Sequence, residues 1–254
     1  MHILLAAATS FEIQPTIDFL LTRPIHSATP ASPPVPGAAI TPATHSTGQQ
    51  DILRVSTLIT GVGALSTAWS LMRQIDRDRP ELIVQAGIAG CFTGKPHGEV
   101  FAIHDETLAD LGVWEDNRFK TPFDLSLADP NQSPFTAGRL INPYQTLLTL
   151  TGLEAVSAIT VNEISTSPDR IDWYRTTTSA AIESMEGGAL HYIGLQEKIA
   201  FLQLRAVSND IGVRDKSNWN IALAIRRLND RLIGLLQLLD RNDTTILNAI
   251  NITS

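Results

Sequence analysis

The chain carries a single cysteine, Cys91, among 254 residues. No internal disulfide can form, which excludes a disulfide-stapled scaffold and points to a reducing compartment. Basic residues are also scarce. Lysine and arginine number 19 against 26 acidic residues, the formal charge is −7, and no basic run occurs. Nucleic acid and anionic membrane are therefore not expected as partners. No apolar run approaches the length of a bilayer span. The apolar stretch 3–8 is short, lacks a basic flank and soon meets Glu12, so it reads as a buried first strand and not as a signal peptide. A soluble, cytoplasmic protein is expected. The six histidines are scattered, and CxxC and HExxH spacings are missing. No metal site and no cofactor are expected.

What is present is an alternation of apolar runs, glycine turns and helical stripes, with 43% hydrophobic residues to fill a core. Residues 2–8 form a continuous apolar run, the pattern of a strand covered on both faces, and 11–21 follows as a helix capped by Ser10. A strand at 52–60 ends in Gly61-Val62-Gly63, after which Val62, Leu65, Trp69, Met72 and Ile75 recur at helical spacing. A strand at 82–85 runs into a glycine turn at 86–90. Later strands are expected at 100–103, 155–161 and 199–207. Helices are expected at 143–150 (capped by Asn142), 169–176 and 187–198, with a closing helix striped by Ile221, Ile225, Leu228, Leu232, Leu235, Leu236 and Leu239. Strand, glycine turn, helix, strand predicts a parallel α/β sheet. Residues 23–51 differ: Pro24, Pro30, Pro33, Pro34, Pro36 and Pro42 lie among Ser, Thr, Ala and Gly. This composition buries little surface and is expected to form a mobile surface insert within one domain.

In parallel α/β sheets ligands sit at the carboxyl ends of the strands, and three polar groups fall there. Glu12 follows the first strand, Glu186 stands beside Gly187-Gly188 after a short buried strand, and Asn209 with Asp210 follows the last strand. A carboxylate at a helix start also complements the helix dipole with no catalytic role, and Asp210 also suits a capping role. Taken singly, each leaves both readings open. The TGVG turn is neither a GxGxxG fingerprint nor a P-loop, since residue 66 is serine and no Gly-Lys-Ser/Thr follows.

Five blocks in order, ATSFE, TGVGALSTA, ELIVQAGIAG, ESMEGGAL and RAVSND, carry a resemblance to the nucleoside phosphorylase and nucleosidase superfamily. It covers nearly the whole chain except the proline-rich insert. ADLGVWED, VNEIS and VSNDIGVRDKSNW depart from the methylthioadenosine nucleosidases and are similar to the futalosine hydrolases of the alternative menaquinone pathway. The resemblance implies a single-domain, three-layer α/β/α fold over 1–254 with a central mixed, mostly parallel sheet. It also implies hydrolysis of the N-ribosidic bond of futalosine to hypoxanthine and dehypoxanthine futalosine.

Carried over residue by residue, the resemblance makes Glu12 the general base on the attacking water and Glu186 the holder of the ribose hydroxyls. Met185 would pack on the sugar, Ala86 and Gly87 would line the ribose and base cleft, and Arg205 would support the polar edge. Asn162 and Glu163 would line the base pocket. Asn209 stands where the family's adenine-specific members place a base-contacting aspartate. An asparagine amide donates to O6 and accepts from N7–H, which suits a 6-oxopurine such as hypoxanthine. Asparagine cannot act as an acid, so Asp210 or a bound water would deliver the proton. Trp114 and Phe119 would either touch the carboxyphenyl tail of futalosine or simply pack. The implied partners are a small-molecule nucleoside and a second copy of the chain, as a homodimer.

Three alternatives stand beside this reading. A phosphorylase of the same fold needs cations to hold phosphate, and ATSFE places a carboxylate there. A methylthioadenosine/S-adenosylhomocysteine-type nucleosidase would share Glu12 and Glu186. The presence of both Glu12 and Glu186 argues against a catalytically silent nucleoside-binding protein, which a turnover assay without phosphate distinguishes.

Overall fold

The computed structural model describes residues 1–22, 39–40, 53–92, 94–116, 118–240 and 249. The chain begins with β1 (His2–Ala7), α1 (Ser10–Thr22), β2 (Ala39–Ile40), β3 (Arg54–Ile59), α2 (Ala64–Arg77) and β4 (Leu82–Cys91). It continues with β5 (Val100–Leu108), a small hairpin of β6 (Val113–Glu115) and β7 (Arg118–Lys120), then β8 (Leu140–Ile141), α3 (Gln145–Leu150) and β9 (Ala155–Thr160). It closes with α4 (Pro168–Thr178), β10 (Ile182–Ser184), α5 (Gly187–Glu197), β11 (Ala200–Asp210) and α6 (Ile221–Leu239).

One sheet runs in the order β10-β9-β5-β11-β4-β1-β3-β2, with β8 attached to β5 and β10 bridging back to the end of β4. Every residue of β1 is buried, as its unbroken apolar run requires. The strand pairs in parallel with β3 on one side and β4 on the other. β4–β11, β5–β9 and β9–β10 are also parallel, whereas β5–β11, β2–β3, β5–β8 and β4–β10 are antiparallel. The sheet is mixed and mostly parallel, as expected. α1 packs with α6 and α2 with α5, so two helix pairs cover the sheet. The α6 stripe is driven into the main core, where Leu228, Leu232, Leu236 and Leu239 are buried.

Several expectations need correction. Residues 86–90 are not a turn: β4 runs straight through them to Cys91. Their glycines clear space for crossing side chains, since a Cβ on Gly87 would lie 2.5 Å from Arg205 Nη1 and one on Gly90 would lie 2.7 Å from Ile211 Cγ1. β11 likewise runs on to Asp210, past the expected end at 207. The N-cap of α1 is Thr9 and not Ser10, because Thr9 and Glu12 form the backbone-to-carboxylate half of a capping box. Asn142 does not begin a helix at 143. It accepts from the Tyr144 N–H at 2.8 Å and donates to the Phe201 carbonyl, and α3 starts at Gln145. The stripe after Gly63 is buried only toward its far end. Ile75 is in the core, but Val62, Leu65 and Trp69 are exposed, Leu65 at 84%. The mobile-insert expectation for 23–51 lies outside the described residues except for β2, which pairs antiparallel with β3.

Candidate active site

The carboxyl ends of β1, β3, β4, β10 and β11 surround one cavity of about 350 Å³. Thr9, Phe11 and Glu12 enter it from the start of α1, and Val62 from the turn before α2. Ile88 to Gly90 come from β4, Glu183 to Glu186 from β10 and the start of α5, and Ser208 with Asn209 from β11. The loop after β11 closes the mouth with Ile211, Val213, Arg214 and Trp219.

Glu12 is buried at 6% exposure and held at both oxygens. Oε2 accepts from the Thr9 N–H and hydroxyl, each at 3.0 Å, and Oε1 accepts from the Ile88 N–H at 3.0 Å. The Thr-x-x-Glu spacing of a capping box therefore aims the carboxylate at the strand ends. Burial pushes the Glu12 carboxyl above the usual glutamate range. Arg205 and the Ile88 N–H pull it down, and Glu186 pushes it up again. A carboxylate has about four lone-pair positions, so one remains for a water.

Glu186 sits at the N-cap of α5 and is equally buried. Its Oε1 accepts from the Gly63 N–H at 3.1 Å, and its Oε2 lies 3.2 Å from Arg205 Nη1. Gly63 has φ +92°, which a side chain would strain, so the TGVG turn presents its amide where few other residues could. Arg205, at 1% exposure, also donates to Gln85 Oε1 at 3.2 Å. Its path lies over Gly87, where a Cβ would also stand 2.8 Å from Glu12 Oε1. Gly87 is thus the gap through which Arg205 and Glu12 approach one another.

Ser208 occupies a bulge, the β11–β4 register shifting between Val207 and Asn209. A bulge re-aims the residues around it, and Asn209 here faces the cavity. Its Oδ1 accepts from the Ser208 hydroxyl at 2.8 Å and its Nδ2 donates to the Asp210 carbonyl at 3.0 Å. One amide hydrogen and one lone pair are left over for a ligand.

Of the residues expected at the site, Glu12, Met185, Glu186 and Asn209 line the cavity, and Arg205 and Gly87 lie directly beneath it. Ala86 is fully buried in β4 and does not line it. Asp210 is half-exposed, with its carboxylate 3.8 Å from His97 Nε2, and is not in the lining. Asn162 and Glu163 are exposed outside the cavity, held by Asp110 and Arg170 respectively. Trp114 and Phe119 pack on each other and on Trp173, away from the cavity.

Two features have no counterpart in the sequence reading. Glu183 lines the cavity wall, and its carboxylate accepts from the Ser165 N–H and hydroxyl. Burial raises its pKa, and the Ser165 bonds oppose that shift. Glu106 is fully buried behind α5, accepting from Thr160 Oγ1 and Gln203 Nε2, each at 2.9 Å. Thr160 in turn accepts from the Gly188 N–H at 2.7 Å, which ties Glu106 to the first turn of the Glu186 helix. Burial pushes the Glu106 carboxyl up to about 7, against the pull of Gln203, Arg205 and Thr160. No sequence signal marks Glu106, because its partners come from β9, β11 and α5. Among the described residues no cluster of His, Cys, Asp and Glu could hold a metal ion.

No protein-family model matches the chain. Among solved structures, the methylthioadenosine/S-adenosylhomocysteine nucleosidase of Streptococcus pneumoniae superposes with a TM-score of 0.72 at 17% identity, over 94% of this chain and all of the other. A futalosine hydrolase mutant of Helicobacter pylori superposes with a TM-score of 0.72 at 12% identity, over 94% of this chain and 99% of that one. These likenesses establish the nucleosidase fold. The futalosine hydrolase of Thermus thermophilus is 30% identical over 182 residues, which make up 67% of this chain and 79% of that protein. With 30% identity over two thirds of this chain, on a nucleosidase fold whose strand ends hold the buried carboxylates Glu12 and Glu186, the chain belongs to the futalosine hydrolase family.

Proposed function

We propose that the chain hydrolyses the N-ribosidic bond of futalosine, releasing hypoxanthine and dehypoxanthine futalosine in the futalosine route of menaquinone biosynthesis. The observation that carries this is the placement of Glu12, Glu186 and Asn209 around one cavity. Glu186 holds the ribose hydroxyls, Met185 packs on the sugar, and the Asn209 amide meets O6 and N7 of the base. A water on Glu12 attacks C1′. The C1′–N9 bond breaks with its electron pair passing to the purine, and Glu12 takes the proton of the water. Asp210 points away toward His97, so the leaving purine is protonated by water.

Breaking this bond builds positive charge on the sugar, as in glycoside hydrolysis. The Glu12 and Glu186 carboxylates are fixed in advance beside that charge, which is how preorganised groups lower a barrier. Arg205 lies beneath the sugar position and is engaged by Glu186 and Gln85, so it is not free to hold a phosphate. Release of base from futalosine, inosine and methylthioadenosine, each with and without phosphate, tests the reading. Phosphate-independent release of hypoxanthine and a reducing sugar is expected. Strict phosphate dependence with a sugar 1-phosphate product overturns it.

The assembly is a homodimer in this proposal. Phe11, Val62, Leu65 and Trp69 are exposed at 62%, 57%, 84% and 54%, and the first two also line the cavity. Apolar side chains exposed together mark an interaction surface. Leu65→Asp should convert the dimer to a monomer in light scattering, and an unchanged mass would argue for another face. The lone cysteine and the acidic balance fit a cytoplasmic setting.

A further inference from the structure

Among the described residues the cavity is lined by three carboxylates, Glu12, Glu183 and Glu186, and by one cation, Arg214. Arg214 lies at the mouth, in the loop between β11 and α6. Among the described residues it makes no ion pair, and its guanidinium carbon stands 5.4 Å from the centre of the Trp219 ring. The indole is itself pinned, its Nε1 donating to the Val213 carbonyl at 2.8 Å. The loop is tied at both ends. The Ile211 N–H donates to the Cys91 carbonyl, and the Asn220 N–H donates to the Ser208 carbonyl at 2.8 Å. A short 3-10 turn, Lys216–Asn218, capped by Asp215, stiffens its middle. The loop therefore presents a flat aromatic face and a guanidinium fork in fixed relation to Asn209, the residue that follows the Ser208 bulge on the same strand end.

A guanidinium with no ion pair among the described residues, 5.4 Å from the centre of an anchored indole, is suited to one kind of guest. Its planar fork of donors matches a carboxylate bidentately. The surrounding wall of Ile164, Ile211 and Val213 is apolar, and offers contact area to an aryl group and little to a hydrated chain. Resting on the nucleosidase reading above, we propose that Arg214 and Trp219 form the subsite for the 5′ substituent of the nucleoside. The subsite takes an aromatic carboxylate, with the ring against Trp219 and the carboxylate on Arg214. This replaces the hairpin residues Trp114 and Phe119, which pack on Trp173 outside the cavity, as the recognition element for the carboxyphenyl tail within this chain. It also gives a role to Arg214 of VSNDIGVRDKSNW, the cation of that stretch that lines the cavity.

The test compares kcat/KM for futalosine, its carboxyphenyl methyl ester and inosine on the parent, Arg214→Gln, Arg214→Lys and Trp219→Ala. The parent should favour the acid over the ester by about tenfold, the size expected of one charge-assisted hydrogen-bond pair at a partly exposed site. Arg214→Gln should abolish that preference while leaving inosine unchanged, and Arg214→Lys should restore part of it. Trp219→Ala should weaken the acid and the ester together relative to inosine. A preference for the acid that survives Arg214→Gln, or a parent that never shows one, overturns the subsite and leaves the hydrolase reading standing. A parent that releases base from inosine but from neither futalosine nor its ester overturns the futalosine reading, and the subsite falls with it.

Discussion

Glu186 Oε2 lies 3.2 Å from Arg205 Nη1, with the arginine at 1% exposure and the glutamate at 6%. The pair joins the helix that begins at Gly187 to the strand behind it, so the cavity-lining carboxylate is held from below while its other oxygen takes the Gly63 amide. Removing one partner of a buried ion pair leaves an uncompensated charge, which is far costlier than the pair's net worth. Arg205 is in this sense a positioning residue whose reach extends to Glu12 through the gap at Gly87.

Glu12→Gln should still fold, at a cost of about 1–3 kcal/mol, because the amide oxygen can keep the Thr9 donors while the buried Ile88 N–H loses its acceptor. Turnover should fall on the order of 10²- to 10⁴-fold, the usual cost of losing a general base. Burial raises the pKa of Glu12, and a base works only when ionised. The parent's kcat/KM should therefore fall with decreasing pH through a limb above the ordinary glutamate range, and the variant's residual rate should lack that limb. Near-parental turnover in the variant would reduce Glu12 to a helix-capping carboxylate.

Asn209 should set the choice of base. With hypoxanthine its spare amide hydrogen and lone pair meet O6 and N7–H, whereas the 6-amino group of adenine would face a donor. A preference for 6-oxo over 6-amino nucleosides of roughly 10²-fold is expected from one or two unmet buried hydrogen bonds. Asn209→Asp should narrow or invert it. The comparison is kcat/KM for futalosine and its 6-amino analogue on both proteins, and equal discrimination before and after the change would remove Asn209 from base recognition.

Glu106 should make stability depend on pH in an uncommon direction. Its carboxyl rises from 4.5 to about 7 on folding, so between those values the folded state binds more protons than the unfolded state. By linkage, this group's contribution is fully present below about 4.5 and is lost as pH rises through about 7, a change of at most about 3 kcal/mol. Buried His191 titrates with the opposite sign. Its pKa is lowered to about 4 by burial, so its contribution is lost as pH falls below the ordinary histidine value. The difference between the parent and Glu106→Gln isolates the carboxyl. Denaturant midpoints should show the variant gaining on the parent as pH rises from 5 to 8, and a gap that does not change with pH would mean that Glu106 stays ionised throughout.

The sequence alone determined the succession of the main strands and helices, a parallel α/β sheet, and the positions of Glu12, Glu186 and Asn209 at strand ends, while the mixed character of the sheet was implied by the resemblance. Those features are local. An unbroken apolar run must be covered on both faces, a 3.6-residue stripe must face a core, and a Thr-x-x-Glu pair caps a helix wherever it stands. Tertiary structure decided what those ends face. Asn209 turns into the cavity and Asp210 away from it because successive strand residues point to opposite faces and a bulge at Ser208 sets the phase. Asn162 and Glu163 fall outside because Asp110 and Arg170, from other elements, hold them there. Gly87 and Gly90, read as a turn, are passages for Arg205 and Ile211 arriving from the neighbouring strand and the loop after it. The same holds for Glu106, Glu183 and the Arg214–Trp219 mouth. Each depends on contacts between segments far apart in the chain, or on the path of one loop, and a pattern that repeats every two or four residues carries no record of them.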